Sequence, residues 1–167
     1  MKKISFRNDI LPLKNQLYRL ALRITLNNED AEDIVQDTLI KVWNKRDDWE
    51  SIESIEAYSF KICRNLALDN LKLRENNNIS LESDEVEEPQ TTTTLEQRLM
   101  QRDKVNVVRH IIDGLPEKQK SAIQLREFEG KSYKEIAQIL DISEDQVKVS
   151  IFRARQTIKN KFSLLED

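Results

Sequence analysis

A basic stretch near the end of the sequence has the residue types that contact nucleic-acid phosphates. Between Gln146 and Lys161 there is no Asp or Glu. The basic residues in this stretch are Lys148, Arg153, Arg155, Lys159 and Lys161. An acid-free basic helix can neutralise phosphates, although a charged helix is often no more than a solvated surface. The stretch is therefore a candidate DNA-binding helix.

The same stretch carries side chains that can distinguish one base from another. If its apolar residues face inward, its outward face carries Gln146, Val149, Ser150 and Arg153. Gln and Arg can form paired hydrogen bonds with base edges in the major groove. The candidate DNA contacts are Gln146, Lys148, Val149, Ser150, Arg153, Arg155 and Lys159.

Two short capped helices would position the basic stretch. Ser132 with Glu135, and Ser143 with Gln146, both have the spacing of a capping box. Only two helical turns and a bend separate them, and Asp141 lies in that bend, where Asp tolerates a left-handed backbone. Apolar residues stand where the helices would face each other: Ile136, Ala137, Leu140, Ile142, Val147, Ile151 and Ala154. This pattern predicts a helix-turn-helix.

A second candidate surface lies on a helix in the first half of the chain. Asn28 is the predicted N-cap of this helix, and its predicted buried stripe is Ala31, Ile34, Val35, Thr38, Leu39 and Val42. The opposite side carries Asp33, Gln36, Asp37 and Lys41, spaced three to four residues apart. Taken alone, such a row is typical of a solvated helix face.

Composition predicts an all-α protein. The 167 residues include only 2 Gly and 3 Pro, and the hydrophobic fraction of 38% suits a globular chain. No apolar run approaches the length of a membrane span, so we expect a cytoplasmic protein. A single Cys63, predicted to be a small core residue, and a single His110 leave no set of zinc ligands, and we expect neither metal nor cofactor.

An acidic middle segment divides the chain. Residues 75–97 contain 7 acidic residues and no Lys or Arg, with almost no apolar side chains. Such a segment cannot bury enough surface to order itself, which predicts a flexible linker, although a surface loop within one domain is the alternative. We therefore expect two small helical domains, residues 1–74 and 98–167, joined by a flexible acidic linker at 75–97.

The motif DAEDIVQDTLIKVW, Asp30 to Trp43, resembles the core-binding helix of bacterial RNA polymerase sigma factors, and the chain resembles their small extracytoplasmic-function (ECF) branch. The resemblance implies a region 2 helical bundle followed by a region 4 helix-turn-helix. It implies that Asp33, Gln36 and Asp37, with Lys41 beside them, dock on the clamp helices of the largest catalytic subunit of core RNA polymerase.

Ser54 to Arg74 is similar to the segment with which the family melts and reads the −10 promoter element. Aromatic rings and cations suit that role because unpaired bases stack on aromatic side chains. The matching residues are Tyr58, Phe60, Lys61, Arg64, Asn65, Lys72 and Arg74. The preceding loop is where the family captures a flipped base, which makes Trp49 a candidate, with a core position as the equal alternative.

The C-terminal motif resembles the family's −35-reading domain, but a helix-turn-helix regulator of the LuxR type shares much of it. The N-terminal resemblance separates the two and favours a sigma factor that directs promoter-specific transcription initiation. The implied partners are core RNA polymerase, promoter DNA and an anti-sigma factor. No dimer seam is evident, so we expect a monomer. One His, scarce Gly and no phosphate loop argue against an enzyme.

Overall fold

The computed structural model describes residues 3–77 and 104–166. These residues fall into two compact units, with the boundary between Asn77 and Asn78. Every regular element in the two described ranges is helical, so the predicted all-α fold of two helical domains is confirmed. Most of the predicted acidic linker, from residue 78 to 97, lies outside the described residues.

The first unit is a three-helix bundle with short helical segments at its edges. A π-helical turn, Phe6–Ile10, and a 3-10 turn, Leu11–Leu13, precede the bundle. The helices are α1 (Lys14–Thr25), α2 (Asn28–Asn44) and α3 (Ile55–Asn77), with a 3-10 segment Arg46–Ser51 between α2 and α3. Each of α1, α2 and α3 packs against the other two. Helix α3 continues past Arg74, the predicted end of the first module.

The stripe predicted for α2 forms the centre of this bundle. Ala31, Ile34, Val35, Thr38 and Val42 are buried, and Leu39 is partly buried. The cap differs by one residue from the prediction, because Asn27 rather than Asn28 has the extended backbone of an N-cap and accepts a hydrogen bond from the Asp30 N–H at 2.8 Å. Asn28 is the first helical residue, and its side-chain oxygen accepts a hydrogen bond from the Tyr18 hydroxyl.

Residues 104–166 of the second unit form four helices. They are α4 (Lys104–Asp113), α5 (Glu117–Glu127), α6 (Tyr133–Leu140) and α7 (Glu144–Glu166). Helix α7 packs against each of the other three, and α5 also packs against α6. The facing apolar residues predicted for the helix-turn-helix are buried, except for Ile142, which is partly buried. Helices α6 and α7 therefore form the predicted motif.

Both predicted capping boxes are present at the bend. Ser132 Oγ accepts from the Glu135 N–H at 3.1 Å while the Glu135 carboxylate accepts from the Ser132 N–H at 3.0 Å. Ser143 and Gln146 make the same exchange, with both bonds at 3.1 Å. Between the boxes, Asp141 has the left-handed backbone expected of it, with φ of 61°. The start of α7 is thus fixed by hydrogen bonds to side chains of its own first turn.

Cys63 lies in the core of the first unit, as predicted. Its side chain is buried, and its sulfur donates a hydrogen bond to the Leu17 carbonyl oxygen at 3.4 Å. Burial raises the pKa of the Cys63 thiol from 9.0 to about 12, while a hydrogen bond with Thr38 acts in the opposite direction. The thiol is therefore protonated and poorly nucleophilic in the folded protein.

Replacing Gln146 tests how much the second capping box stabilises α7. We expect Gln146→Ala to lower the free energy of unfolding by about 0.5–1 kcal/mol, because the Ser143 N–H loses its partner. Gln146→Glu keeps the acceptor and should retain stability. Urea unfolding followed by circular dichroism measures the change. Gln156→Ala, an exposed substitution farther along α7, is the control; equal effects of the two alanine variants would contradict a role for the box.

Burial of Cys63 predicts slow thiol chemistry and a specific pH dependence. At pH 8 the native thiol should resist a thiol-reactive dye and should react after unfolding. Since the folded pKa of about 12 exceeds the ordinary value of 9.0, the stabilisation is fully present below pH 9.0 and is lost as pH rises from there towards 12. The difference in unfolding free energy between the wild type and Cys63→Ala should therefore shrink over this range. Rapid labelling of the native protein would contradict this burial.

Candidate nucleic-acid and protein interfaces

The carboxylate and amide side chains of α2 form one exposed row. Asp33, Gln36, Asp37 and Lys41 are all exposed, on the side opposite the buried stripe. Their spacing of three or four residues brings them together on one face, because those positions are neighbours on a helix. The face has two carboxylates within one turn and can therefore attract a basic partner.

Two large apolar side chains extend this row and were not predicted to do so. Ile40 is 56% exposed and Trp43 is 44% exposed. Ile40 follows Gln36 by four residues and Asp37 by three, which places it among the polar side chains of the row. The signal that could have found Ile40 is its position outside the buried stripe of α2. The row therefore combines negative charge with exposed apolar surface, as protein interfaces often do.

The end of the row is held by an aromatic cluster. The ring centroid of Trp43 lies 5.4 Å from that of Phe6 and 6.1 Å from that of Trp49, both in edge contacts. The Arg46 guanidinium lies 4.4 Å from the Trp43 centroid, and its Nη1 donates to the Trp43 carbonyl oxygen at 3.2 Å. These contacts fix Trp43 at the surface, where one face of the indole supports a cation.

Trp49 and Phe60 are not available to bases in this structure. Trp49 is 8% exposed, clusters with Ile10 and Val42, and donates its indole N–H to the Val42 carbonyl oxygen at 3.0 Å. Phe60 is 0% exposed. Both rings fill the core of the bundle, since the helices pack over them. Trp49 is therefore a core residue, which was the alternative to base capture. Phe60 is buried as well, so the prediction that its ring stacks on bases is wrong.

The remaining −10 candidates lie on α3, most of them on one face. Tyr58, Lys61, Asn65 and Lys72 are spaced by three, four and seven residues, which aligns them along the helix. Tyr58 is partly buried against the Ile10–Val42–Trp49 cluster, Lys61 is partly buried, and Asn65 and Lys72 are exposed. Arg64, also partly buried, lies beside this line. The face combines one aromatic ring with cations and an amide.

Arg74 does not join that face. Its Nε lies 2.7 Å from a carboxylate oxygen of Asp30, at the start of α2. The side chain of Arg74 is 44% exposed and that of Asp30 is 19% exposed. Arg74 therefore links the end of α3 to the first turn of α2, where a carboxylate is already favoured by the helix dipole.

The predicted base-reading residues of α7 come together in the second unit. Gln146, Val149, Ser150 and Arg153 line one shallow concavity of about 280 Å³. Lys118, Ile142 and Asp145 complete its lining. Lys118 lies in the first turn of α5 and was not predicted; only the packing of α5 against α7 reveals it. The concavity presents two cations, a carboxylate, a hydroxyl, an amide and two apolar side chains on one surface.

Gln146 has only part of its hydrogen-bonding capacity free. Its side-chain oxygen accepts from the Ser143 N–H in the capping box. Paired recognition of adenine requires both the oxygen and the amino group of the amide. While the box is intact, Gln146 can offer a base only its amino group.

Lys148, Arg155 and Lys159 lie on other sides of α7. The Lys148 ammonium is 6.0 Å from the centroid of Tyr133, and the Arg155 guanidinium forms an ion pair of 2.8 Å with Glu127. The hydrogen bond with Glu127 raises the pKa of Arg155 above its ordinary value. Lys159 borders an apolar groove of about 480 Å³ lined by Val108, Arg109, Phe128, Ile158, Phe162 and Ser163. None of these three residues lines the concavity that contains Gln146 and Arg153.

Other site types are not found within the described ranges. Across residues 3–77 and 104–166, no three His, Cys, Asp or Glu side chains gather where a metal ion could bind. In the same two ranges, no helix has both the length and the apolar character needed to cross a membrane.

The chain matches two family models, one in each unit. Residues 10–76 match Sigma-70 region 2, and residues 106–158 match Sigma-70, region 4. The exposed row of α2 and the helix-turn-helix thus fall inside the two matched segments.

Curated relatives match along most of the chain. An ECF RNA polymerase sigma-E factor of Haemophilus influenzae is 31% identical over 160 residues, which cover 91% of this chain and 84% of that protein. An RNA polymerase sigma-H factor of Pseudomonas aeruginosa is 30% identical over 160 residues, 90% of this chain and 83% of that protein.

Two solved structures share the fold. The sigma factor RpoE in complex with the anti-sigma factor NepR from Bartonella quintana aligns with a TM-score of 0.67, at 22% identity, over 93% of this chain and 94% of that chain. CnrH in complex with the cytosolic domain of CnrY aligns with a TM-score of 0.66, also at 22% identity, over 96% of this chain and 87% of that chain. Family models, relatives and fold agree: the chain belongs to the ECF branch of the sigma-70 family and is an RNA polymerase sigma factor.

Proposed function

We propose that the first unit binds core RNA polymerase and the −10 element, and that the second unit binds the −35 element. The observation that carries the proposal is the exposed row Asp33, Gln36, Asp37 and Lys41 in the segment that matches region 2. A helix that buries one face and presents carboxylates on the other is suited to docking on a basic partner. The partner is the clamp-helix surface of the largest polymerase subunit.

The −10 surface is the aligned face of α3. Tyr58 supplies the ring for base stacking, Lys61 and Lys72 supply positive charge, and Arg64 and Asn65 supply hydrogen-bond donors. Stacking on an aromatic ring stabilises an unpaired base by about 1–3 kcal/mol, which favours the melted strand over the duplex. Arg74 joins this surface only if a phosphate replaces Asp30 as its partner. Trp49 and Phe60 support the surface from the core.

The −35 surface is the concavity at the start of α7. Arg153 and Ser150 contact base edges, and Lys118 contacts a phosphate at its border. Val149 contributes an apolar contact, and Gln146 contributes its amino group. Lys148, Arg155 and Lys159 act on phosphates at the sides of the helix rather than on bases, because they lie away from the concavity.

The chemistry of transcription belongs to the polymerase in this proposal, and the sigma factor acts by binding and positioning, as a monomer in the cytoplasm. An anti-sigma factor is a further partner, supported by one structural relative, the sigma factor RpoE in complex with the anti-sigma factor NepR. A stand-alone regulator of the LuxR type is not favoured, because it would leave the region 2 match and the exposed row of α2 without a role.

Reversing two charges on α2 tests polymerase docking. Asp33→Lys combined with Asp37→Lys should weaken binding to sigma-free core polymerase at least about a hundred-fold, since the row would repel the basic partner. Gel filtration at moderate salt measures co-elution, and a promoter-opening assay measures the consequence. Asp47→Lys with Asp48→Lys makes the same charge change at exposed residues outside α2 and should co-elute normally. Undiminished co-elution of the first variant would refute the docking surface.

Removing one cation from α3 tests the −10 surface. For holoenzyme bound to promoter DNA recovered by selection from random sequence, Lys72→Ala should reduce the slope of log affinity against log salt by about 0.7–0.9, because one phosphate contact is lost. Lys3→Ala, an exposed lysine at the start of the same unit, serves as the control and should keep the wild-type slope. If both variants retain that slope, Lys72 does not contact DNA.

A further inference from the structure

Two large apolar side chains are exposed in the first half of α7, among the polar side chains of its outer surface. Val149 is 45% exposed and Phe152 is 61% exposed. They are three residues apart and therefore adjacent on the helix surface. Phe152 belongs neither to the core nor to the concavity that the reading residues line. The Phe152 ring is therefore free of both the core and the concavity and is available for contact with a ligand.

The pair lies on the part of α7 that points farthest from the domain. Val147, Ile151 and Ala154 are buried and define the inner side of the helix. At about 100° per residue, the line opposite to them passes about 15° from Val149 and about 45° from Phe152. When α7 enters a major groove, these two side chains reach the floor of the groove first.

Charged groups border the pair on both sides. Arg153 follows Val149 by one turn on one side, and Lys148 precedes Phe152 by one turn on the other. Asp145, one turn before Val149, occupies the start of the same strip and disfavours phosphate there. An apolar centre with a cation on each flank matches a groove whose walls are phosphate and whose floor is base edges. The same arrangement argues against a purely apolar protein partner.

Hydrogen bonding to base edges is limited beside Val149 and Phe152. The Gln146 oxygen is engaged with the Ser143 N–H, so paired recognition of adenine is unavailable while the capping box holds. On the major-groove floor the apolar group that a base presents is the C5-methyl of thymine. We propose, building on the −35 function proposed above, that Val149 and Phe152 recognise thymine by contact with its C5-methyl group.

Thymine and deoxyuridine differ only by this methyl, which permits a direct test. Holoenzyme assembled from the full chain and core polymerase selects duplexes from DNA randomised across the upstream element. The enriched duplex is then remade with deoxyuridine at each thymine in turn. We expect one or two positions at which loss of the methyl weakens binding about four-fold. If cytosine is placed there, 5-methylcytosine should bind better than cytosine.

Variants connect the methyl effect to the two side chains. With Val149→Ser and Phe152→Ser combined, thymine and deoxyuridine should bind equally. Leu164→Ser changes another exposed apolar residue of α7, about 18 Å from Phe152, and should keep the wild-type preference. Circular dichroism checks that each variant is folded.

The possible failures are distinguishable. An enriched sequence that binds equally well with thymine or deoxyuridine at every position would overturn methyl recognition and leave the sigma-factor function intact. No enriched sequence would remove the proposed −35 function and the inference with it. If the double serine variant still binds thymine better than deoxyuridine at those positions, the two side chains do not contact the methyl group and the inference is wrong.

Discussion

The left-handed backbone of Asp141 is the constraint on which the second unit depends. The chain must end α6 at Leu140 and begin α7 at Glu144, with only three residues between them. A positive φ at Asp141 permits this reversal, and the N–H groups of Asp141 and Ile142 both reach the Ala137 carbonyl oxygen. Ser143 then starts α7 at a fixed rotation. The direction of every side chain at the start of α7 follows from this bend.

In the first unit, one helix serves both the core and the surface. The residues of α2 that fill the bundle and those of the exposed row alternate within Asn28–Asn44. The indole N–H of Trp49 satisfies the Val42 carbonyl, one of the last in α2, and ties Arg46–Ser51 back to that helix. The end of α2 and the start of α3 are thereby held together inside the unit. A buried aromatic residue therefore holds the exposed row of α2 and the start of α3 in place from inside the unit.

Much of this arrangement follows from local sequence. The buried stripe of α2, both capping boxes and the conformation of Asp141 depend on residues within a few positions of each other, and all agree with the prediction. Features that depend on distant packing could not be predicted in the same way. The family resemblance placed Phe60 among the −10 candidates, and only contact with the other helices shows that its ring is buried.

The partners of charged side chains also depend on packing between residues that are distant in sequence. Arg155 and Glu127 are 28 residues apart in sequence, so their ion pair cannot be inferred from helix spacing. Arg74 was grouped with the −10 candidates by its type and position, whereas the start of α2 supplies its carboxylate partner. The shift of the N-cap from Asn28 to Asn27 is smaller but similar in kind, because a hydroxyl from α1 engages Asn28. Local sequence patterns identify the candidate side chains, and packing between helices determines which partner each side chain contacts.

The position of the aromatic cluster has an optical consequence. Both tryptophans of the chain, Trp43 and Trp49, lie in the first unit, and the second unit has none. Fluorescence excited selectively at tryptophan therefore reports on the first unit alone. Trp49 is enclosed and insensitive to solvent, whereas Trp43 lies half exposed at the end of the row on α2. The protein carries a native fluorophore at the end of the exposed row on α2, and its emission can separate events at that row from events at the helix-turn-helix.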